Sequence, residues 1–289
     1  MAHVDPEQEK LYMPSRWVVR VAEAQAVPLH VKVVTEESAR LKKCVQDKRL
    51  GVRFGFCQGD RLDIYGEESG RTGKMMVFIS GGYWQEMSGE ISSFTVQPLL
   101  TRGHTVVVLD YMRCPGQDLA GIIRQVGRGL AWVLELAASR QQEVFLSGHS
   151  AGAHLAAMVL SDLPPQHSQR LGGVVHLSGI FELSPLLTTS VNIPAMNLSP
   201  STAELLSPAS QTNLAKLAKV AGRVKHWVVV GEHDSPAFKQ QARRYTELLK
   251  SHNIQARLSE QRGEDHFSLV EKLKDEDYEL SQEIINFMK

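Results

Sequence analysis

One short stretch near the middle of the chain limits the possible folds more than any other. The β-favouring residues 144–147 run into Gly148-His149-Ser150-Ala151-Gly152, and an alanine-rich, helix-favouring segment follows to residue 160. A serine between two such glycines, at a sharp turn from strand to helix, is typical of a nucleophile elbow. We therefore predict that Ser150 Oγ stands above the carboxyl edge of a parallel sheet, at a helix N-terminus that favours negative charge. A glycine-rich connection without a chemical role is the alternative interpretation.

Apolar runs that alternate with amphipathic segments predict the surrounding fold. The predicted buried strands cover residues 75–79, 104–110, 173–177 and 224–230. Residues 117–140 and 237–251 carry apolar side chains at helical spacing. Together with the elbow, this order predicts an α/β-hydrolase fold, a mostly parallel central sheet with helices on both faces. Phe54, Phe56 and Ile64 add two antiparallel strands around a turn at Gly59-Asp60.

The 289 residues show no linker that would separate two domains, so we predict a single α/β-hydrolase domain over residues 1–289. Residues 1–50 are the hardest to interpret, and we assign them to an N-terminal cap segment. Residues 178–209 are rich in serine, proline, threonine and asparagine. An insertion of that composition after a late strand predicts a lid-like segment that shapes the substrate site.

Charge and cysteine content exclude several classes of protein. Lysine plus arginine and aspartate plus glutamate each number 32, so the formal net charge is zero and no basic stripe predicts nucleic-acid binding. The charged first ten residues do not resemble a secretory signal, and no apolar run is long enough to span a membrane. Three widely spaced cysteines favour neither a disulfide framework nor a metal site. We expect a protein of a reducing compartment, with no metal and no cofactor.

A serine nucleophile needs a general base, and the base needs an acid that orients it. In this fold these partners follow the serine in the order acid, then histidine. Asp234 comes just after the strand at 224–230, and His266 comes after a last short strand at 254–258. Glu232 and His233 are the rival acid and base. We prefer Asp234 because it lies farther into its loop, and His266 because the fold places its base after the final strand.

Gly81 and Gly82 directly follow a buried strand, so their backbone N–H groups can turn outward. A loop of this kind supplies part of the oxyanion hole in the same fold, and the amide after the nucleophile, that of Ala151, supplies the rest. An ordinary glycine turn is the alternative. Tyr83 and Trp84 follow the glycines and could border a substrate, or they could be aromatics of the core.

Several of these segments together resemble the kynurenine formamidases (arylformamidases), in the hormone-sensitive-lipase-like branch of the α/β-hydrolases. The resemblance covers nearly the whole chain and rests on residues 14–18, 81–84, 148–154, 178–183 and 231–236. It implies hydrolysis of N-formyl-L-kynurenine to L-kynurenine and formate in tryptophan catabolism. It also implies a location in the cytosol, with the nucleus as a further site, and a homodimer. One departure is Ser80, which stands where the loop of that family, His-Gly-Gly-x-Trp, has histidine.

These observations lead to a prediction of a metal-free serine hydrolase that acts on a small aryl formamide. Ser150 is the nucleophile, His266 the base and Asp234 its partner, with the amides of Gly81, Gly82 and Ala151 as the oxyanion hole. Two alternatives stay open. A broader short-acyl carboxylesterase would use the same residues, whereas a non-catalytic receptor of this fold would be expected to have lost one member of the triad.

Overall fold

The computed structural model describes residues 4–57, 59–69, 72–220 and 224–289. Within them, one sheet of eight strands has the order β1-β2-β4-β3-β5-β6-β7-β8. The strands are β1 Lys48–Arg53, β2 Arg61–Tyr65, β3 Lys74–Ile79, β4 Thr105–Leu109, β5 Glu143–His149, β6 Leu171–Leu177, β7 Lys225–Gly231 and β8 Ala256–Gln261. Strands β3 to β8 are mutually parallel, and β2 pairs antiparallel with both β1 and β4. The predicted α/β-hydrolase sheet is confirmed.

Helices cover both faces of this sheet. They are α1 Pro6–Leu11, α2 Glu23–Cys44, α3 Val96–Thr101, α4 Leu119–Ser139, α5 Ala151–Ser161, α6 Pro165–Ser168, α7 Pro200–Leu205, α8 Gln211–Val220, α9 Pro236–Ser251, α10 Ser268–Glu271 and α11 Glu279–Phe287. Alternate strand residues enter two separate apolar clusters, one with α4, α5, α8 and α9, the other with α2, α3 and α11. The period-two alternation of the strands therefore gives each face its own core.

The predicted antiparallel pair is present, but its first strand lies earlier than the aromatic residues indicated. β1 ends at Arg53, and Phe56 is fully exposed. Asp60 organises the connection instead, because its carboxylate accepts the N–H of Cys57 at 3.1 Å and its carbonyl accepts the N–H of Phe54 at 3.2 Å. A side chain that satisfies loop amides in this way ends the strand without help from apolar residues.

Two segments outside the sheet meet above the carboxyl ends of its strands. The N–H of Asp5 donates to the carbonyl of Thr188 at 2.8 Å, and Ser190 Oγ donates to the Glu9 carboxylate at 2.5 Å. The segment 178–209 contains short helical turns at Ser184–Thr188 and Asn192–Met196 besides α7. The division into a cap segment at 1–50 and a lid-like segment at 178–209 stays a prediction, and residues 1–3 lie outside the described residues.

Candidate active site

Ser150 occupies the turn between β5 and α5 with φ 54° and ψ −117°, a combination that non-glycine residues rarely adopt. The flanking glycines are required by space. A Cβ on Gly148 would lie 2.3 Å from the carbonyl oxygen of Gly152, and one on Gly152 would lie 2.1 Å from that of Ile79. The strained turn therefore depends on both glycines, and it places Ser150 at the first turn of α5.

Asp234 and His266 form a buried pair. Asp234 follows β7 and His266 follows β8, and His266 Nδ1 lies 2.7 Å from Asp234 Oδ1. A carboxylate only accepts hydrogen bonds, so Nδ1 is the donor and Nε2 carries the free lone pair. His266 and Ser150 both line a cavity of about 660 Å³. The sheet edge thus brings the predicted base and the predicted nucleophile to one cavity.

The second oxygen of Asp234 is also fully used. Ser178 Oγ donates to Oδ2 at 2.5 Å, and the N–H of Gly231 donates to it at 2.9 Å. Three donors therefore converge on a carboxylate that is shut off from solvent. Sequence reasoning missed Ser178, although it comes directly after β6 at the same edge as the other site residues.

The rival acid and base lie elsewhere. Glu232 accepts the N–H of Gly263 at 2.7 Å, and this bond lowers the pKa of its carboxyl. The N–H of His233 donates to the carbonyl of Glu264 at 2.9 Å. Among the described residues, Asp234 rather than Glu232 bonds to His266, and His266 rather than His233 lines the cavity with Ser150. The geometry favours Asp234 and His266 over both rivals.

The glycine loop lies against the nucleophile. A Cβ on Gly81 would approach Ser150 Cβ to 3.1 Å, and Gly82 has φ +95°, where side chains are disfavoured. Among the hydrogen bonds of the described residues, none uses the N–H of Gly81 or Gly82 as donor. Ala151 is the first residue of α5, where a helix provides no partner for the amide. These three amides remain the candidates for an oxyanion hole.

Tyr111 holds this loop from the side of the neighbouring strand. Its hydroxyl lies 3.0 Å from the carbonyl oxygens of both Ser80 and Gly81 and shares one proton between them. Burial raises the pKa of Tyr111 to about 12, which keeps the donor protonated. The hydroxyl of Ser80 has no partner among the described residues. The loop is therefore fixed through backbone carbonyls by Tyr111, which lies two residues beyond the end of β4 and which we did not predict.

The two aromatic residues of the loop have different surroundings. Tyr83 lines the cavity, and its hydroxyl donates to the carbonyl of Tyr12. Trp84 is 0% exposed, lies edge-on to the His154 ring at 4.8 Å, and is not among the described residues of the cavity wall. The surroundings of Trp84 match the alternative interpretation, an aromatic of the core, and give no support to a substrate contact. For Tyr83 a substrate contact stays a prediction.

A network of charges from the N-terminal segment fixes the loop that carries His266. Arg20 Nε donates to Asp265 Oδ2 at 2.8 Å, and its terminal nitrogen donates to Glu271 at 2.8 Å. His30 Nδ1 donates to Glu271 Oε1 at 3.0 Å, and this oxygen also accepts from the terminal nitrogen of Arg20 at 2.9 Å. Burial by itself favours a higher pKa for Asp265. Hydrogen bonds from backbone N–H groups and from Arg20 outweigh that effect, so the pKa lies below its usual value. Sequence reasoning missed this contact because its partners lie at opposite ends of the chain.

Buried histidines surround the elbow. His149 Nε2 donates to the backbone carbonyl of His266 at 2.9 Å, so it links the elbow to the histidine loop. Burial, and then the neighbouring rings of His266 and His30, lower the pKa of His149 well below its usual value. His154 and His176 are fully buried, and burial lowers the pKa of each to about 4. These rings are neutral at neutral pH.

Comparison with known proteins agrees with this architecture. A family model described as the alpha/beta hydrolase fold matches residues 76–269. Kynurenine formamidase of Danio rerio is 32% identical over 285 residues, which span 98% of this chain and 96% of that protein. Kynurenine formamidase of Drosophila melanogaster is 31% identical over 245 residues, 81% of this chain and 80% of that protein. An esterase structure from Pyrobaculum calidifontis aligns with a TM-score of 0.71 over 99% of this chain and 98% of that one. Its 15% identity shows the fold alone.

Two features that would point to other functions are missing from the described ranges. No helix there combines the length and apolar character that a membrane span requires. No group of three or more histidine, cysteine, aspartate or glutamate side chains in the same ranges is arranged to bind a metal ion.

Proposed function

The chain belongs to the kynurenine formamidase family of α/β-hydrolases, and on that premise we propose that it cleaves the formamide of N-formyl-L-kynurenine to L-kynurenine and formate. The observation that carries the proposal is the buried His266–Asp234 pair, whose histidine shares one cavity with the strained Ser150. The substrate is a small aryl formamide. The family places the reaction in tryptophan catabolism.

Acylation starts when His266 Nε2 accepts the proton of Ser150 Oγ, and the oxygen attacks the formyl carbon. Asp234 stabilises the imidazolium that forms and keeps Nδ1 protonated. Negative charge develops on the formyl oxygen, where the amides of Gly81, Gly82 and Ala151 would stabilise it. Removal of one such donor typically costs about 10²–10³ in kcat.

Cleavage and deacylation use the same histidine. His266 gives its proton to the aniline nitrogen as the C–N bond breaks, so that the arylamine leaves neutral and Ser150 carries a formyl ester. A water molecule, deprotonated by His266, then attacks the ester, and His266 returns the proton to Ser150 Oγ as the C–O bond breaks and formate leaves. Tyr83 borders the cavity and provides an aromatic surface for the aryl group.

The direct test is turnover of N-formyl-L-kynurenine, measured beside p-nitrophenyl esters with the same preparation. Ser150→Ala is expected to lower kcat by about 10⁶ while circular dichroism shows an unchanged fold. Turnover of the esters without turnover of the formamide would favour the broader carboxylesterase. Substantial activity of Ser150→Ala on the formamide would remove Ser150 from the mechanism.

A homodimer and a location in the cytosol and nucleus are further parts of the proposal, and the family resemblance supports them. Light scattering of the purified protein measures the first, and fractionation of cells that express a tagged chain measures the second. A monomer at micromolar concentration, or a tagged chain confined to a membrane fraction, would contradict them.

A further inference from the structure

The charges on the cavity wall are unequal. Among the described residues that line the cavity there is no lysine and no arginine, and Glu86 is the one carboxylate. Apart from this residue, the ionisable side chains of the described wall are Tyr83 and three histidines. A substrate carboxylate finds no permanent cation there, whereas a substrate ammonium group finds a carboxylate.

Glu86 has a fixed backbone and a free side chain. Its N–H donates to the carbonyl of Gly82 at 2.8 Å. The neighbours of Glu86 are also held. Gln85 Nε2 donates to the carbonyl of Val191 at 2.8 Å, and the carbonyl of Met87 accepts from Arg113 Nε at 2.8 Å. In the part of the chain that the structure describes, the Glu86 carboxylate makes no hydrogen bond and no ion pair. The backbone at this position is therefore held, and the carboxylate of this exposed residue is open to solvent and to a ligand in the cavity.

Glu86 is also close to the candidate oxyanion hole. A Cβ on Gly82 would lie 2.5 Å from the carbonyl oxygen of Glu86, so the two backbones are in contact. A second acid lies at the same cavity, because Ser190 of the wall donates through both N–H and Oγ to the Glu9 carboxylate. Both acids make this side of the cavity attractive to a cation.

We propose that Glu86 binds the α-ammonium group of the substrate and so selects formamides that carry an amino-acid head group. This inference rests on the function proposed above. With the formyl carbon at Ser150 and its oxygen at the glycine loop, the aryl ketone spans the cavity and the ammonium group lies several bonds away, beside Glu86.

The test compares two substrates that differ in one group, N-formyl-L-kynurenine and its deamino analogue, in which hydrogen replaces the α-ammonium group. We take the ratio of kcat/KM for N-formyl-L-kynurenine to kcat/KM for the deamino analogue. Glu86→Gln is expected to lower this ratio by about fivefold, the scale of an ion pair at an exposed side chain. Glu90→Gln is the matched control, since Glu90 is exposed, lies four residues away and is absent from the described cavity wall. Added salt should reduce the ratio for the unaltered protein and leave the ratio of Glu86→Gln nearly constant.

The results separate this inference from the function on which it rests. An unchanged ratio in Glu86→Gln, with both formamides still hydrolysed, would overturn the ammonium site alone. An equal fall of the ratio in Glu90→Gln would do the same, because it would show a diffuse charge effect. If the unaltered protein hydrolysed neither formamide, the proposed function would fall and the ammonium site with it.

Discussion

Replacement of Asp234 by asparagine changes one atom of the site and is expected to disable the base. In the structure the carboxylate accepts three donors, His266 Nδ1–H on one oxygen, and Ser178 O–H and Gly231 N–H on the other. Asparagine has one acceptor oxygen and one NH₂ group. Asparagine can therefore accept hydrogen bonds either from His266 or from Ser178 and Gly231, but not from both as the carboxylate does.

The local geometry selects the orientation of the asparagine. If its NH₂ group faced Ser178 and Gly231, it would meet the N–H of Gly231 donor to donor. The carbonyl is therefore expected on that side and the NH₂ group beside His266 Nδ1, which must then accept. This moves the imidazole proton to Nε2, where it blocks removal of the proton from Ser150. In serine proteases such a change of tautomer lowers kcat by about 10⁴, which corresponds to roughly 5–6 kcal/mol of activation free energy.

The assay is the steady-state hydrolysis of N-formyl-L-kynurenine by Asp234→Asn and by the matched control Glu232→Gln. Glu232 lies two residues away and bonds to Gly263, so its variant should retain kcat within about threefold. Thermal unfolding followed by circular dichroism shows whether each variant folds. A loss of less than tenfold in a folded Asp234→Asn, or an equal loss in Glu232→Gln, would refute the tautomer argument.

Two further predictions follow from the loop and from the buried histidines. Tyr111→Phe removes the donor shared by the carbonyls of Ser80 and Gly81 and should lower kcat by roughly fivefold with little change in KM, since a neutral hydrogen bond is worth about 1 kcal/mol. Steady-state kinetics measure this, and an unchanged kcat would show that the loop needs no such support. Burial lowers the pKa of His154 and His176 to about 4, so the unfolded chain, with histidine pKa values near 6.5, binds their protons first as pH falls. The free energy of unfolding should thus be constant above about pH 6.5. Between about pH 6.5 and pH 4 it should fall by up to about 1.4 kcal/mol per pH unit for each histidine. Urea titrations measure this free energy, and a flat profile between pH 7 and 5 would contradict the prediction.

That the candidate catalytic residues lie at one edge of the sheet was predictable from sequence because the signals are local. Each buried strand appears as a short apolar run, and the residues that follow it must lie at the same edge of a parallel sheet. This reasoning placed Ser150, Asp234 and His266, and it would also have reached Ser178 and Tyr111 had every residue after a strand been considered. The sequence left open which loop aromatic enters the core, since positive φ values at Tyr83 and Trp84 break the period by which side-chain direction is inferred.

The N-terminal segment could not be predicted in the same way. α2 contains Pro28 and a mixed pattern of polar and apolar residues, so its periodicity is weak. Its role depends on distant partners, among them Glu271, which bonds His30. Neither segment alone carries a sequence pattern that predicts such a contact, because an exposed helix face and a face that binds a distant carboxylate have the same composition.

The contact between Arg20 and Asp265 joins residues that are 245 positions apart, and this bears on the order in which the site is assembled. Contacts of such separation carry the largest loop-closure entropy and form late relative to local ones. The turn that carries Ser150 needs only β5, α5 and adjacent strands, all of which leave the ribosome before the histidine loop does. In a growing chain the turn of the proposed nucleophile is therefore expected to form before the proposed base is in place, and the site is complete only when β8 has paired and Arg20 bonds to Asp265.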